Sequence, residues 1–327
     1  MQSCLAQLGL WMVLATLCHG AGPGPRTRSF HLEYKTIVKD LPVEVNRLEL
    51  WIPVPRNDPH QQIANVRVKT KLPYTLSTDS KGNKVLHILI QRPKESSFVA
   101  DIAFSATRRE HRQPGLYSGS PLAREEDSRE LALWLKPDRL VPIDGQIRIW
   151  AREVVEAANA QTDLEMARAI YSHVVSTVKY DKTGRGWGRG DIYYACDARR
   201  GNCTDFHAIF IGYCRALGIP ARFAIGFPLP ADRGQGSITG YHCWAEFYAK
   251  GIGWIPIDAS EAAKDPSRRE YFFGAHDENR IEFTRGRDIV LSPRQKGDPL
   301  NYFVYPYAEV DGKVFAGTES IVTYRDQ

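Results

Sequence analysis

Arg200-Gly201-Asn202-Cys203-Thr204-Asp205-Phe206 opens the stretch on which the reading of this chain turns. Beyond it, Phe206, Ile209, Phe210, Tyr213 and Leu217 recur at i, i+3, i+4, i+7 and i+11, a spacing that predicts a buried helical stripe. Gly218 and Pro220 stop the helix. Cys203 then stands at the helix N-terminus, where unpaired amides and the macrodipole favour an anion. Such a placement lowers a thiol pKa and yields a nucleophile at neutral pH. The common fate of a free cysteine is a buried, inert thiol. Cys214, inside the same helix beside its apolar stripe, reads that way.

A thiolate nucleophile needs a base. Tyr241 to Tyr248 alternates as a strand, with Cys243, Ala245 and Phe247 on one face and His242, Trp244 and Glu246 on the other. Ala249-Lys250-Gly251 reads as a three-residue hairpin loop with Gly251 in the left-handed position, and Gly253 to Asp258 as the returning strand. With Tyr248 facing Ile252, His242 falls opposite Asp258, where side chains stand about 4.5–5.5 Å apart. That spacing suits a carboxylate that holds an imidazole through one ring nitrogen and leaves the other for the thiol. Pro256 asks for an edge strand. His207, four residues after Cys203, is the weaker alternative as base or metal ligand, because no sequence-adjacent carboxylate is placed to orient it. His19, His31, His60, His87, His111, His173 and His276 have no evident partner, and Asp197 and Asp205 suit turn or helix-start roles.

Outward from this centre the chain changes character. Phe30–Tyr34, Leu48–Ile52, Val85–Ile90 and Phe98–Phe104 alternate as half-buried strands with turn-rich pieces such as Asp79–Asn83 between them. Residues 28–110 are therefore expected to form an N-terminal β-sandwich-like domain, 111–146 a polar connector, and 147–327 the catalytic domain, including the strands expected over Ile281–Pro293 and Tyr302–Tyr324. Thr162 and Glu165 match a capping box, and Leu164, Ala167, Tyr171, Val174, Val175 and Val178 follow on one helical face. Thr183–Gly190, rich in glycine and arginine, reads as a mobile surface loop; the Arg189-Gly190-Asp191 tripeptide within it carries no weight.

Residues 1–20, with an apolar run from Leu5 to Leu17 ahead of a Gly- and Pro-rich break, read as a signal peptide. The run is shorter than the roughly 18 residues that span a bilayer, so an exported chain, periplasmic or extracellular, with no span in the mature part is expected. Past that leader four cysteines remain, Cys196, Cys203, Cys214 and Cys243, spaced as neither zinc site nor disulfide framework, although a Cys196–Cys243 bridge stays open. A net charge of +5 without a basic run or nucleic-acid motif argues against nucleic acid as partner.

Three blocks now carry a resemblance: Gly201–Phe206 running on to Arg215–Arg222, His242-Cys243-Trp244, and Gly253-Trp254-Ile255-Pro256-Ile257-Asp258-Ala259-Ser260. In this order they resemble the transglutaminase-like superfamily, in a bacterial-type exported form, whose core is shared with papain-like thiol proteases. The likeness runs from about Leu164 to Ser260. It implies an α+β fold, with a nucleophile helix packed on an antiparallel sheet. It also implies a Cys-His-Asp triad, matched here by Cys203, His242 and Asp258. Arg222 matches a structural arginine, while Trp244 and Trp254 are expected to wall the site or pack behind it. No calcium-binding loops like those of animal transglutaminases are present, so neither metal nor cofactor is expected. The Cys203 amide is one oxyanion donor, and Asn202, Trp187, Tyr193 and Tyr194 are candidates for the second, with Trp244 a further substrate-side candidate. The implied chemistry is acyl transfer on a peptide or protein amide through a thioester. Hydrolysis is favoured because bulk water is always present and no acyl-acceptor site is identifiable. Crosslinking to amines, a non-catalytic binding module on the same fold, and a metal-binding protein are the alternatives.

Overall fold

Alternating apolar residues in the first hundred positions condense into strands. The computed structural model describes residues 24–113, 116 and 127–327, so the expected signal peptide lies outside the described residues. The N-terminal part supplies β1 (Thr27–Val38), β2 (Arg47–Val54), β3 (Gln61–Lys69), β4 (Tyr74–Thr78), β5 (Lys84–Gln91), β6 (Phe98–Arg109) and the short β7 (His111–Arg112). Helices α1 (Ser128–Leu133), α2 (Gly145–Ala157) and α3 (Asp163–Thr177) follow, then β8 (Lys179–Tyr180), α4 (Ile192–Ala198), β9 (Arg200–Gly201) and α5 (Cys203–Ala216). The remainder is β10 (Ala221–Pro228), β11 (Gln235–Ile238), β12 (His242–Ala249), β13 (Gly253–Ile257), α6 (Ala259–Lys264) and β14 (Ala275–His276). It closes with β15 (Arg280–Arg285), β16 (Tyr307–Val310), β17 (Lys313–Phe315) and β18 (Thr318–Asp326).

The N-terminal strands form two five-stranded antiparallel sheets, ordered β11-β18-β1-β6-β3 and β17-β16-β2-β5-β4. Along β1, Phe30, Leu32, Tyr34, Thr36 and Val38 are buried at every second position, as a half-buried strand requires. Phe30, Leu32, Tyr34 and Val38 join Leu48, Leu50, Ile52, Leu86, Ile88 and Phe104 in one apolar cluster. The C-terminal strands expected in the catalytic domain belong to these sheets instead: β18 lies between β11 and β1, and β16 beside β2. Local pattern shows that a segment is strand but not which edge it completes, and β1 and β2 had edges to be covered. The stretch expected as strand over Ile281–Pro293 is strand only through Arg285, and the expected connector contains α1 and β7.

The third sheet, ordered β13-β12-β10-β15, carries α5 on one face. All of α5 from Cys203 to Ala216 is buried, because α2, α3 and α4 cover the side turned away from β10 and β12. The Thr162–Glu165 capping box opens α3 as expected. Pro256 is accommodated because β13 is an edge strand. Opposite His242 on β10 stands Gly226, where a Cβ would approach the Ile281 carbonyl oxygen to 1.8 Å, so only glycine lets β15 bulge past this point.

First and last strands are also tied by charge. Arg28, its side chain 0% exposed, donates from Nε and Nη2 to the two carboxylate oxygens of Asp326 at 2.8 and 2.9 Å. Asp326→Ala leaves that guanidinium buried with fewer partners and should destabilise the chain by about 3 kcal/mol, read as a lowered urea midpoint against wild type. An unchanged midpoint would show that the sheets do not depend on this closure.

Candidate active site

Cys203 is the first residue of α5, and the turn before it is built by side chains of the helix itself. Asn202 caps the helix, its Oδ1 accepting the Thr204 amide at 3.0 Å. Asp205 completes a capping box and does more. Its carboxylate accepts the amides of Asn202 at 2.9 Å, Gly188 at 2.7 Å and Gly190 at 3.0 Å. Gly201 makes room for this, since a Cβ there would lie 2.1 Å from an Asp205 oxygen. Arg287 donates to the carbonyls of Gly190 and Arg189 at 2.7 Å each. The Thr183–Gly190 loop, expected to be mobile, is therefore anchored at its second half on the cysteine's own helix cap. Asp191 is used as the cap of α4.

The β12–β13 hairpin differs from the expected pairing. Tyr248 faces Trp254 and Ala249 faces Gly253, so the loop is Lys250–Ile252 and the register moves by two residues. Ala245 faces Ile257, the last pair, and Asp258 lies past the strand as the cap of α6. His242 and Asp258 meet all the same, with His242 Nε2 2.7 Å from Asp258 Oδ2. The contact comes from the turn into α6 rather than from cross-strand pairing. Asp258 Oδ1 accepts Ser260 Oγ and the Glu261 amide at 3.0 Å each, while Arg280 Nη1 donates to Oδ2 at 2.9 Å.

Charge follows this geometry. Cys203 is 2% exposed, and burial by itself would push its thiol up. Hydrogen bonds from Cys243 and His242, and the positive imidazole, outweigh burial and hold the thiol well below its ordinary value. Burial likewise works against charge on His242, but Asp258 and Cys203 push it up to about 10. Burial opposes ionisation of Asp258 too, and His242 with Arg280 keeps it well below the carboxylate range. The neighbouring thiols go the other way: burial raises Cys214, and burial together with the adjoining Cys203 raises Cys243.

Other residues find definite places. His207 is fully buried, accepts the Ala259 amide at Nε2 (3.3 Å) and thereby turns Nδ1–H toward Cys243 Sγ at 3.6 Å. Both nitrogens are occupied, so His207 links α5 to β12 and α6 although it lies 3.7 Å from Asp258, a carboxylate that its sequence neighbourhood did not suggest. Asn202 Nδ2 donates to Tyr241 Oη at 2.9 Å, and Tyr193 Oη donates to Asp144 at 2.6 Å. Trp244 is 0% exposed and packs behind His242, with ring centroids 5.9 Å apart; Trp254 lies under the Arg222 guanidinium. Trp187 is half-buried beside the anchored Gly188, and the Tyr194 hydroxyl is buried without a hydrogen-bond partner. The bridge left open between Cys196 and Cys243 is not formed: all four described cysteines are free, Cys196 lying beside Tyr213 Oη. Arg280 was invisible to sequence reasoning because it comes from β15, outside every motif. A cavity of about 490 Å³, lined among others by Trp150, His173, Cys196 and Tyr213, includes none of Cys203, His242 and Asp258.

Residues 149–259 match the family pattern of the transglutaminase-like superfamily. That stretch, and not the whole chain, is similar to the superfamily's core. A protein of Haemophilus influenzae, itself uncharacterized, is 27% identical over 301 residues, 80% of each chain. A crystal structure from Cytophaga hutchinsonii, of a protein proposed to be a cysteine protease, superposes with a TM-score of 0.62 at 16% identity, covering 92% of this chain and 91% of that one. At that identity the likeness concerns fold, and it extends the agreement beyond the transglutaminase-like core to both flanking regions.

The pKa directions make a measurable signature. With Cys203 depressed, labelling by iodoacetamide should stay nearly flat from about pH 6 to 9, because the thiolate is already present. In His242→Ala it should be slow near neutrality and climb about tenfold per pH unit toward the ordinary thiol value. A wild-type profile that climbs in the same way would overturn the ion-pair assignment.

Proposed function

We propose that this chain is an exported cysteine acyltransferase acting on peptide or protein amides, with Cys203 as nucleophile, His242 as acid and base, and Asp258 as orienting carboxylate. The observation that carries the reading is a single imidazole hydrogen-bonded to both Asp258 and a Cys203 whose thiol is depressed. The match of residues 149–259 to the core of the transglutaminase-like superfamily supports it. Among the described residues no helix is long and apolar enough to cross a membrane.

The Cys203 thiolate attacks the amide carbonyl carbon. The oxygen develops negative charge beside the Cys203 amide, since the Asp205 carboxylate already accepts the Asn202 amide, and Asn202 accepts those of Thr204 and Asp205. Collapse breaks the C–N bond, and the His242 imidazolium gives its Nδ1 proton to the departing amine, leaving a thioester. Water then attacks that carbonyl while His242 takes its proton. Collapse of that adduct breaks the C–S bond and expels the Cys203 thiolate, restoring the thiolate–imidazolium pair, while the carboxylic acid departs and gives its proton to solvent. Asp258 holds Nε2 throughout, and Arg280 with the α6 cap keeps Asp258 ionised and fixed. Trp187 and Tyr194 are the remaining candidates for the substrate side. Hydrolysis is the favoured outcome, since water needs no dedicated site; the same thioester given to a lysine amine would make a crosslink.

An unfolded protein substrate incubated with a tagged primary amine tests both outcomes. New peptide termini, found by mass spectrometry, mean hydrolysis; incorporated tag means transamidation. Cys203→Ala should abolish either product, and Asp258→Asn should lower the rate on the order of a thousandfold or more. If neither product forms and Cys203 reacts no faster than Cys214, the fold is being used as a binding module.

A further inference from the structure

Three of the histidines without a partner in the sequence meet on the face of β12 that bears His242, Trp244 and Glu246. His111 on β7 and His276 on β14 are register partners, and the carboxylate of Glu246 reaches both. One ligating atom from each of His111, Glu246 and His276 lies within 4.8 Å of the other two, and all three residues are buried. His111 Nδ1 is 3.3 Å from Glu246 Oε1. Two donors bound to one tetrahedral ion at about 2.0–2.1 Å stand about 3.3 Å apart.

The hydrogen bonding around the cluster is that of ligands. His276, 0% exposed, bonds the Ile257 carbonyl through Nε2 at 2.9 Å, which places its proton there and leaves the Nδ1 lone pair buried without a partner. An imidazole held by a carbonyl through one nitrogen and open at the other is the usual form of a metal ligand. An orphaned buried nitrogen is otherwise costly. Arg222 engages Glu246 through Oε2, leaving Oε1 toward His111. Asp58, Glu246 and Glu282 balance Arg108, Arg222 and Arg285 nearby, so a dication meets no excess of positive charge. The His60 ring stacks on His111 at 3.7 Å, its Nδ1 is also buried without a partner, and it lines a surface cavity of about 410 Å³.

We propose that His111, Glu246 and His276 form a binding site for a divalent first-row transition cation, zinc foremost, reached from the cavity at His60. Two imidazoles and a carboxylate are a donor set of zinc chemistry. The ion would tie β7 and β14 to the core sheet behind Trp244, whose ring lies 5.8 Å from that of His276. The inference is independent of what Cys203 does.

The full chain, stripped by chelator, is titrated with Zn²⁺ by calorimetry and with Co²⁺ by absorption. The expected result is saturable binding of about one ion per chain, weakened on the order of 100-fold in His111→Ala and in His276→Gln and unchanged in Cys203→Ala and His173→Ala. Glutamine at 276 can keep the bond to the Ile257 carbonyl, and circular dichroism reports whether each variant is folded. Zinc should also raise the melting temperature of wild type. If a variant fails to fold, the wild-type cobalt spectrum decides: tetrahedral bands without thiolate charge transfer support the site. A thiolate band places the ion at Cys203 and Cys243 instead. That band, no saturable binding, or undiminished binding in both folded variants would overturn the proposal.

Discussion

A single buried carboxylate organises the centre of this molecule. Asp258 is fully enclosed, and an unpaired carboxylate there would cost several kcal/mol. One of its oxygens is taken by the start of α6, through Ser260 and the Glu261 amide; the other is taken by His242 and Arg280. The orientation of His242 therefore derives from a helix cap, a backbone feature, and from an arginine that arrives from β15, the opposite edge of the sheet from β13. Changing α6, β12 or β15 changes the imidazole.

The same economy holds at the sulfur end. Asp205 closes the α5 cap and anchors the glycine-rich loop with one carboxylate, so the amides around Cys203 and the segment bearing Trp187 are positioned together. Cys203 and Cys243 share a contact yet shift in opposite directions, because only Cys203 also meets the His242 imidazole. Among the described thiols, burial alone leaves Cys196 and Cys214 raised above the ordinary value as well. The downward shift belongs to one sulfur through its neighbours, and burial does not supply it.

Much of this was legible in local pattern. Period-two alternation marks β1, β2, β5 and β6; the Thr162–Glu165 box marks α3; and Phe206 to Leu217 marks α5 with its cysteine at the start. The hairpin after Tyr248 was legible as a hairpin but not in register. Gly251 and Gly253 both adopt positive φ, so two loop placements were chemically plausible. His242 and Asp258 meet through a route different from the cross-strand pairing that the pattern suggested.

The amino-acid sequence determined what depends on near neighbours: that β1, β2, β5 and β6 are strands and α3 and α5 helices, where α5 begins, and that a thiol stands at its positive end. Tertiary structure alone decided that β16, β17 and β18 return to the N-terminal sheets, that Arg280 supports Asp258, and that His111, Glu246 and His276 converge. The physical reason is the range of the forces. Hydrogen-bond periodicity and capping act over a few residues and leave a mark in composition. Edge pairing, burial and charge compensation join segments far apart in the chain, and no local spacing encodes which of them will meet.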